Sequence, residues 1–170
     1  MRIFDLRTEE TLHNLTVFPD KSAICSINAR SDNQLIATGS AEGEICVINN
    51  QTGKILANFA SKKQASTSNE EDNNAQGSNS IESLIFSPPE INNLVTADVD
   101  GNLTVWDLAS HVAKVSNVLG SGLVKLAWWQ NHILVATFDG LVRVVDPRTG
   151  EALEDCSGHL EHILDFAVTK

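Results

Sequence analysis

Positive charge is what this sequence has least of: 12 Lys plus Arg stand against 22 Asp plus Glu, a net charge of −10 over 170 residues. A protein that reads a phosphate backbone needs a clustered Lys/Arg footprint, so nucleic acid is excluded as the first partner to consider. No apolar run reaches the ~18 residues of a membrane span. Met1 to Asp5 carries neither the apolar centre nor the cleavage site of a signal peptide. The chain is therefore expected to be soluble and cytoplasmic, with the nucleus as a second compartment. Its three cysteines, Cys25, Cys46 and Cys156, are odd in number and widely spaced, which excludes a disulfide framework or a Cys-rich zinc site. They read as buried, reduced thiols. Glycine-rich phosphate loops and a Gly-x-Ser-x-Gly elbow are also missing. What is present is enough apolar material, 42% of residues, for one domain with a real core.

Repetition is the strongest positive signal. Three stretches align on an acidic-Gly turn: Ala37 to Asn49 around Glu42-Gly43, Val95 to Asp107 around Asp100-Gly101, and Val135 to Asp146 around Asp139-Gly140. Each is an apolar strand, a turn and a second strand closed by Asp or Asn. Glycine supplies the positive φ of a tight hairpin, and Asp beside it tolerates that region. An apolar strand lies upstream of each hairpin: Ala23 to Ile27, Ile81 to Phe86 and Leu123 to Trp128. A turn and a fourth strand follow: Lys54 to Phe59, Val112 to Val118 and Ala152 to Cys156. Four antiparallel strands joined by short turns make a propeller blade; a sandwich would not repeat the same turn in the same place.

The closing Asp or Asn recurs at Asp5, Asn49, Asp107 and Asp146. Two of the three spacings match the ~40 to 45 residues of a propeller repeat. The long one contains the polar run from 61 to 80, which has too little apolar surface to offset its ordering entropy. The expected organisation is a partial blade over 1–17, a blade over 18–60, a disordered polar acidic loop over 61–80, and blades over 81–119 and 120–157. The first strand of a truncated blade is expected over 158–170. The fold class is all-β, an incomplete propeller of three full blades with partial blades at both ends. Since a ring takes about seven blades, this arc is about half a ring, and its bare edges are expected to make it poorly stable alone and prone to self-association.

Trp106-Asp107 after Asp100-Gly101, and Gly158-His159 opening a new unit, resemble the WD-repeat family. The run through Asp146-Pro147-Arg148-Thr149-Gly150 to Gly158-His159-Leu160-Glu161-His162 is similar to the C-terminal half of the angio-associated migratory cell protein family. A fungal relative in that family is a dedicated chaperone of one large-subunit ribosomal protein. The resemblance implies a non-enzymatic protein-binding module that captures a basic segment of a ribosomal protein during ribosome assembly. A generic WD-repeat scaffold in signalling, cell migration or cytoskeletal organisation is the alternative. It also implies structural roles for Gly43, Gly101, Trp106, Asp107, Gly140, Asp146, Gly158 and His159. Trp106, Asp100 and Thr96 would be three members of the family's Trp–Ser/Thr–His–Asp network, whose His has no counterpart in the middle blade.

Catalytic and metal chemistry find no foothold. Of the five histidines only His159 and His162 are near one another, with Cys156 as the one further ligand nearby, and a zinc site needs more. No cofactor, metal or catalytic residue is expected. Charge placement is more informative. Turns between second and third strands share one propeller face with the connections between blades. On that face they carry Glu42, Glu44, Asp98, Asp100 and Asp139 without Lys or Arg, and the connection at 70–72 adds three more acids. The opposite turns carry Arg30, Lys54, Lys114 and Arg148; Lys21, Lys62 and Lys63 are the basic exceptions, in blade connections. A single-sign face concentrates ligands of the other sign, so the five acids form a candidate groove for a Lys/Arg-rich peptide. Trp128 and Trp129 are expected in blade packing.

Overall fold

The computed structural model describes residues 1–60 and 80–169. Among them are fourteen strands and no helix: β1 (Arg2–Phe4), β2 (Thr11–Asn14), β3 (Ile24–Ala29), β4 (Leu35–Ser40), β5 (Glu44–Asn49), β6 (Ile55–Ala60), β7 (Ile81–Phe86), β8 (Asn93–Asp98), β9 (Asn102–Asp107), β10 (Val112–Val118), β11 (Leu123–Trp129), β12 (His132–Thr137), β13 (Val142–Val145) and β14 (Ala152–Cys156). They form one two-stranded and three four-stranded sheets, each in chain order. Every pairing is antiparallel. The first strands β3, β7 and β11 lie side by side, so the sheets stand as successive propeller blades.

Blades stack because their middle strands are apolar on both faces. β8 is buried along its whole length. One of its faces joins Ala37, Val47 and Phe59 of the first blade to Leu94 and Trp106; the other joins Val95, Leu103 and Val105 to Ile133 and Val135 of the third. Full burial of each Leu, Ile or Val is worth roughly 1.5–3 kcal/mol, and a blade alone could bury neither of its faces.

A β-bulge fixes the junctions. In each blade the pairing of first and second strands slips after its opening residue, between Ile24 and Ser26, Ile81 and Ser83, and Leu123 and Lys125. A bulge bends the strand and re-aims the next side chain, here toward the following unit. Ser26 Oγ donates to the Ile81 carbonyl at 2.6 Å, and Ser83 Oγ accepts the Leu126 N–H at 3.0 Å. In the third blade the same position is Lys125, whose Nζ lies 3.0 Å from Asp165. That pairing holds the Asp165 carboxyl below its usual range.

One polar pair sits inside the middle blade: Trp106 Nε1 donates to Thr96 Oγ1 at 2.9 Å, both residues buried. Asp100 stands apart from it, exposed at the turn tip. In the third blade the two positions are Val135 and Val145. In the first they are Thr38 and Ile48, which leaves the buried Thr38 hydroxyl without a partner among the described residues.

Three expectations change. Residues 158–169 form no strand: instead of pairing, the segment drapes over the turn before β13, burying Ile163, with His162 Nδ1 hydrogen-bonded to the Phe138 carbonyl. Only Cys46 is buried. Cys25 and Cys156 are exposed, Cys25 on the first strand of its sheet and Cys156 on the outermost strand, β14. Trp128 packs against the core while Trp129 lies at the rim. The polar run expected over 61–80, with Lys62 and Lys63, lies outside the described residues except for Ser80.

Thr38 and Thr96 predict opposite responses to one substitution. Thr38→Val is expected to raise unfolding free energy in urea by about 1 kcal/mol by removing an unsatisfied hydroxyl, whereas Thr96→Val lowers it by about 1–3 kcal/mol by orphaning the Trp106 indole N–H.

Candidate functional site

Each turn between second and third strands is organised by the residue ending the second strand. Ser40 Oγ accepts the N–H groups of Glu42 and Glu44 at 3.2 and 2.9 Å. Asp98 Oδ1 accepts those of Asp100 and Asn102 at 3.1 and 2.8 Å, and Thr137 Oγ1 accepts that of Leu141 at 3.2 Å. Gly43, Gly101 and Gly140 follow with φ of 83°, 90° and 87°, as the hairpin chemistry requires. A Cβ on Gly101 would lie 2.7 Å from the Ser121 carbonyl oxygen, and one on Gly140 would lie 2.8 Å from that of Glu161. The N–H groups of Ala41, Val99 and Phe138 donate to the carbonyls of Ala23, Ser80 and Gly122 at 2.9, 3.1 and 2.8 Å. These bonds tie each turn to the segment entering its own blade, so turns and blade connections share one rim.

Of the five acids expected on this rim, Glu42, Asp100 and Asp139 are exposed. Asp98 is not available: it is 1% exposed, and its carboxylate also accepts the Asn102 side-chain amide at 3.0 and 2.8 Å. Glu44 is half-buried beside Cys46, where burial first and the Glu44 charge second push the thiol up to about 11, keeping it protonated and inert. Among the described residues no salt bridge engages Glu42, Asp100 or Asp139, and no group of three potential metal ligands occurs. Gly158 and His159 are exposed in the terminal segment; the His159 carbonyl approaches Gly140.

The opposite rim repeats a different turn. Asp5, Asn49, Asp107 and Asp146 each use Oδ1 to accept nearby N–H groups and the main-chain carbonyl to accept the N–H four residues on. That fourth residue is left-handed in every copy: Glu9, Gly53, His111 and Gly150, with φ of 59°, 67°, 60° and 71°. The cations of this rim are mostly paired: Arg30 with Asp32 at 2.7 Å, Lys114 with Asp107 at 2.9 Å and Arg148 with Asp146 at 3.3 Å. Arg30 also donates to Asn92 at 3.0 Å, bridging the first blade to the middle one. In the middle blade Ser87 occupies the place of Arg30, and a cleft of about 510 Å3 opens toward the third blade, lined by Ile91, Asn93, His132 and Arg148 among others. Sequence reading missed the Arg30 bridge and the Ser26 and Ser83 stitches. Their signal was positional, since Ser26 and Ser83 are both third in their strands.

Asp107 is held down at about 2, first by the Lys114 ammonium and then by the N–H groups of Ala109 and Ser110. Because the folded value is depressed, its contribution to stability is complete above the ordinary carboxylate range near 4 and is lost as pH falls toward 2. In Lys114→Ala the dependence of urea midpoint on pH is expected to flatten between about pH 4 and 2 relative to the parent chain.

No family model matches the chain. It is 33% identical over 174 aligned residues to the angio-associated migratory cell protein of Homo sapiens, spanning 100% of this chain and 40% of that protein. It is 24% identical to a WD repeat-containing protein of Schizosaccharomyces pombe, over 98% of this chain and 36% of that one. The chain thus spans about 40% of the length of the human relative. Among solved structures, Saccharomyces cerevisiae Sqt1 superposes with a TM-score of 0.81 at 23% identity, covering 98% of this chain and 45% of the other. Three consecutive four-stranded blades give the chain the fold of a partial β-propeller, and over nearly its whole length it is similar to the angio-associated migratory cell protein and to a WD repeat-containing protein.

Proposed function

We propose that the chain is a non-enzymatic protein-binding module whose turn rim captures a Lys/Arg-rich segment, and that its client is a large-subunit ribosomal protein during ribosome assembly in the cytoplasm. The observation that carries the reading is the repeated presence of an exposed acid, Glu42, Asp100 and Asp139, at the same turn of three successive blades, without an ion pair among the described residues. Three cations of the opposite rim pair with acids of their own turns, while Glu42, Asp100 and Asp139 stand exposed to a cationic partner. Such a field speeds capture of a basic chain and weakens with salt. The resemblance to the angio-associated migratory cell protein family and its fungal relative supports the ribosomal client; a multi-partner scaffold would use the same fold with a less selective rim.

Anisotropy of a labelled Lys/Arg-rich peptide tests the rim. Changing Glu42, Asp100 and Asp139 together to Lys is expected to weaken binding about tenfold or more and to flatten its salt dependence. Glu90→Lys, on the opposite rim, is expected to leave both unchanged. Equal affinities for the parent and the triple variant would overturn the reading. Capture of one large-subunit ribosomal protein from cytosol supports the specific client, whereas several unrelated proteins would favour the scaffold.

A further inference from the structure

The two blade junctions differ where they meet the rim of the closing Asp/Asn turns. At the first, Arg30 stands directly after β3 with 11% of its side chain exposed. Its guanidinium is spread over three partners: Asp32 in its own turn at 2.7 and 3.0 Å, Gln34 at 3.5 Å and, across the junction, Asn92 Oδ1 at 3.0 Å. At the same junction Leu35, which opens β4, and Leu108, which follows the closing Asp107, pack on the core that the two blades share. At the second junction these three places are filled differently. Ser87 stands after β7 in the place of Arg30, and its hydroxyl accepts the Asn93 N–H at 2.8 Å. Asn93 and Pro147 replace Leu35 and Leu108. The acceptor across the junction is kept, since Asn131 precedes β12 as Asn92 precedes β8. The result is the cleft of about 510 Å3, with Asn93, Asn131, Asp146 and Arg148 among its polar lining and Ile91 and Pro147 as its apolar wall.

We propose that this cleft binds an arginine side chain presented by a partner protein. The first junction shows the fit, because there a guanidinium already bridges the blades and donates to the residue that precedes the next blade's second strand. An arginine suits both parts of the lining. Its methylene stem covers Ile91 and Pro147, and its planar fork offers donors to the Asn131 side-chain carbonyl and the Asp146 carboxylate. The Arg148 N–H and guanidinium hold the Asp146 carboxyl below its usual range, so it is ionised at neutral pH, and 19% of its side chain remains exposed. The resident cations leave room for a guest: Lys114 is paired with Asp107 at 2.9 Å, and Arg148 projects outward with 87% of its side chain exposed. An anion would meet the Asp146 carboxylate, and a lysine ammonium, a compact point charge, cannot span acceptors on two blades as a fork does. No arginine among the described residues is placed to enter. Arg30 fills the first junction, Arg143 lies 3.6 Å from Asp155, Arg148 holds its own turn, and Arg2 and Arg7 belong to the β1–β2 hairpin. The site lies on the rim opposite Glu42, Asp100 and Asp139, so it is a second contact that does not rest on theirs.

Nuclear magnetic resonance of the intact, isotope-labelled chain, titrated with a capped pentapeptide carrying one central arginine among glycines, tests the site. The side-chain amide signals of Asn93 and Asn131 are expected to shift and to saturate with a dissociation constant of about 0.1–1 mM, as suits a single anchoring side chain. Lysine in place of the arginine is expected to weaken binding about fivefold, and citrulline, which keeps the shape without the charge, about tenfold. Equal binding of all three peptides, tighter binding of the glutamate peptide, or shifts confined to other parts of the chain would overturn the proposal. Ser87→Arg supplies a guanidinium from within the chain, as Arg30 does at the first junction, and is expected to remove binding. Asn131→Asp, at an exposed position, is expected to tighten the arginine peptide about threefold. Asp146→Asn removes the charge but keeps the turn, as Asn49 does in the first blade, and is expected to weaken it about fivefold. Unchanged affinity in these last two variants refutes the site even where Ser87→Arg fails to fold. Changing Glu42, Asp100 and Asp139 to Lys is expected to leave the Asn93 and Asn131 shifts as they are, so failure of either reading leaves the other standing.

Discussion

Two apolar faces on one thin sheet are the constraint from which the architecture follows. A strand such as β8, buried at every position, cannot be sheltered by a sheet folding on itself, so each blade must be sandwiched. Hydrophobic contact has little directional preference. Orientation comes from the bulge near the start of each first strand, where Ser26 and Ser83 reach main-chain groups of the next blade. Apolar area supplies the stability, and a few hydrogen bonds at each junction help set how the blades are aligned.

The two rims solve a second problem, the satisfaction of turn backbone. On one, Ser40, Asp98 and Thr137 accept N–H groups of the turn, and the residue two positions further on is left free to be acidic. On the other, Asp5, Asn49, Asp107 and Asp146 do the same for a longer turn, and Asp107 and Asp146 are also paired with Lys114 and Arg148. Both rims contain acids, but only on the first does an exposed acid recur at the same turn position in three successive blades. Counting carboxylates along the chain does not distinguish the two, because Asp98 and Asp100 differ by two residues and by almost all of their exposure.

Blades and hairpin turns were legible because their chemistry is local: Gly43, Gly101 and Gly140 require positive φ, and Trp106-Asp107 closes a strand. Strand limits were read to within three residues, β3 and β6 being displaced toward the C-terminus from their expected ranges and β12 beginning at His132 rather than Val135. Burial of side chains was less legible where it depends on what lies across a junction. Cys25 and Cys46 sit in similarly apolar sequence, but only Cys46 is covered by neighbouring residues. The strand expected after His159 failed for the same reason: sequence pattern gives a segment the capacity to pair, and pairing needs an edge placed beside it. The Thr38 hydroxyl has no hydrogen-bond partner among the described residues, since Ile48 offers no donor where Trp106 has one.

The residue after the bulge carries a further implication. Ser26, Ser83 and Lys125 occupy one structural slot, yet two offer a hydroxyl to main-chain atoms and one offers an ammonium to a carboxylate. Lys125 pairs instead with a carboxylate of the terminal segment, which forms no strand. An exposed ion pair of this kind is screened by salt while a bond from a hydroxyl to a main-chain group is not, so rising ionic strength loosens the terminal segment and leaves the two serine junctions as they are.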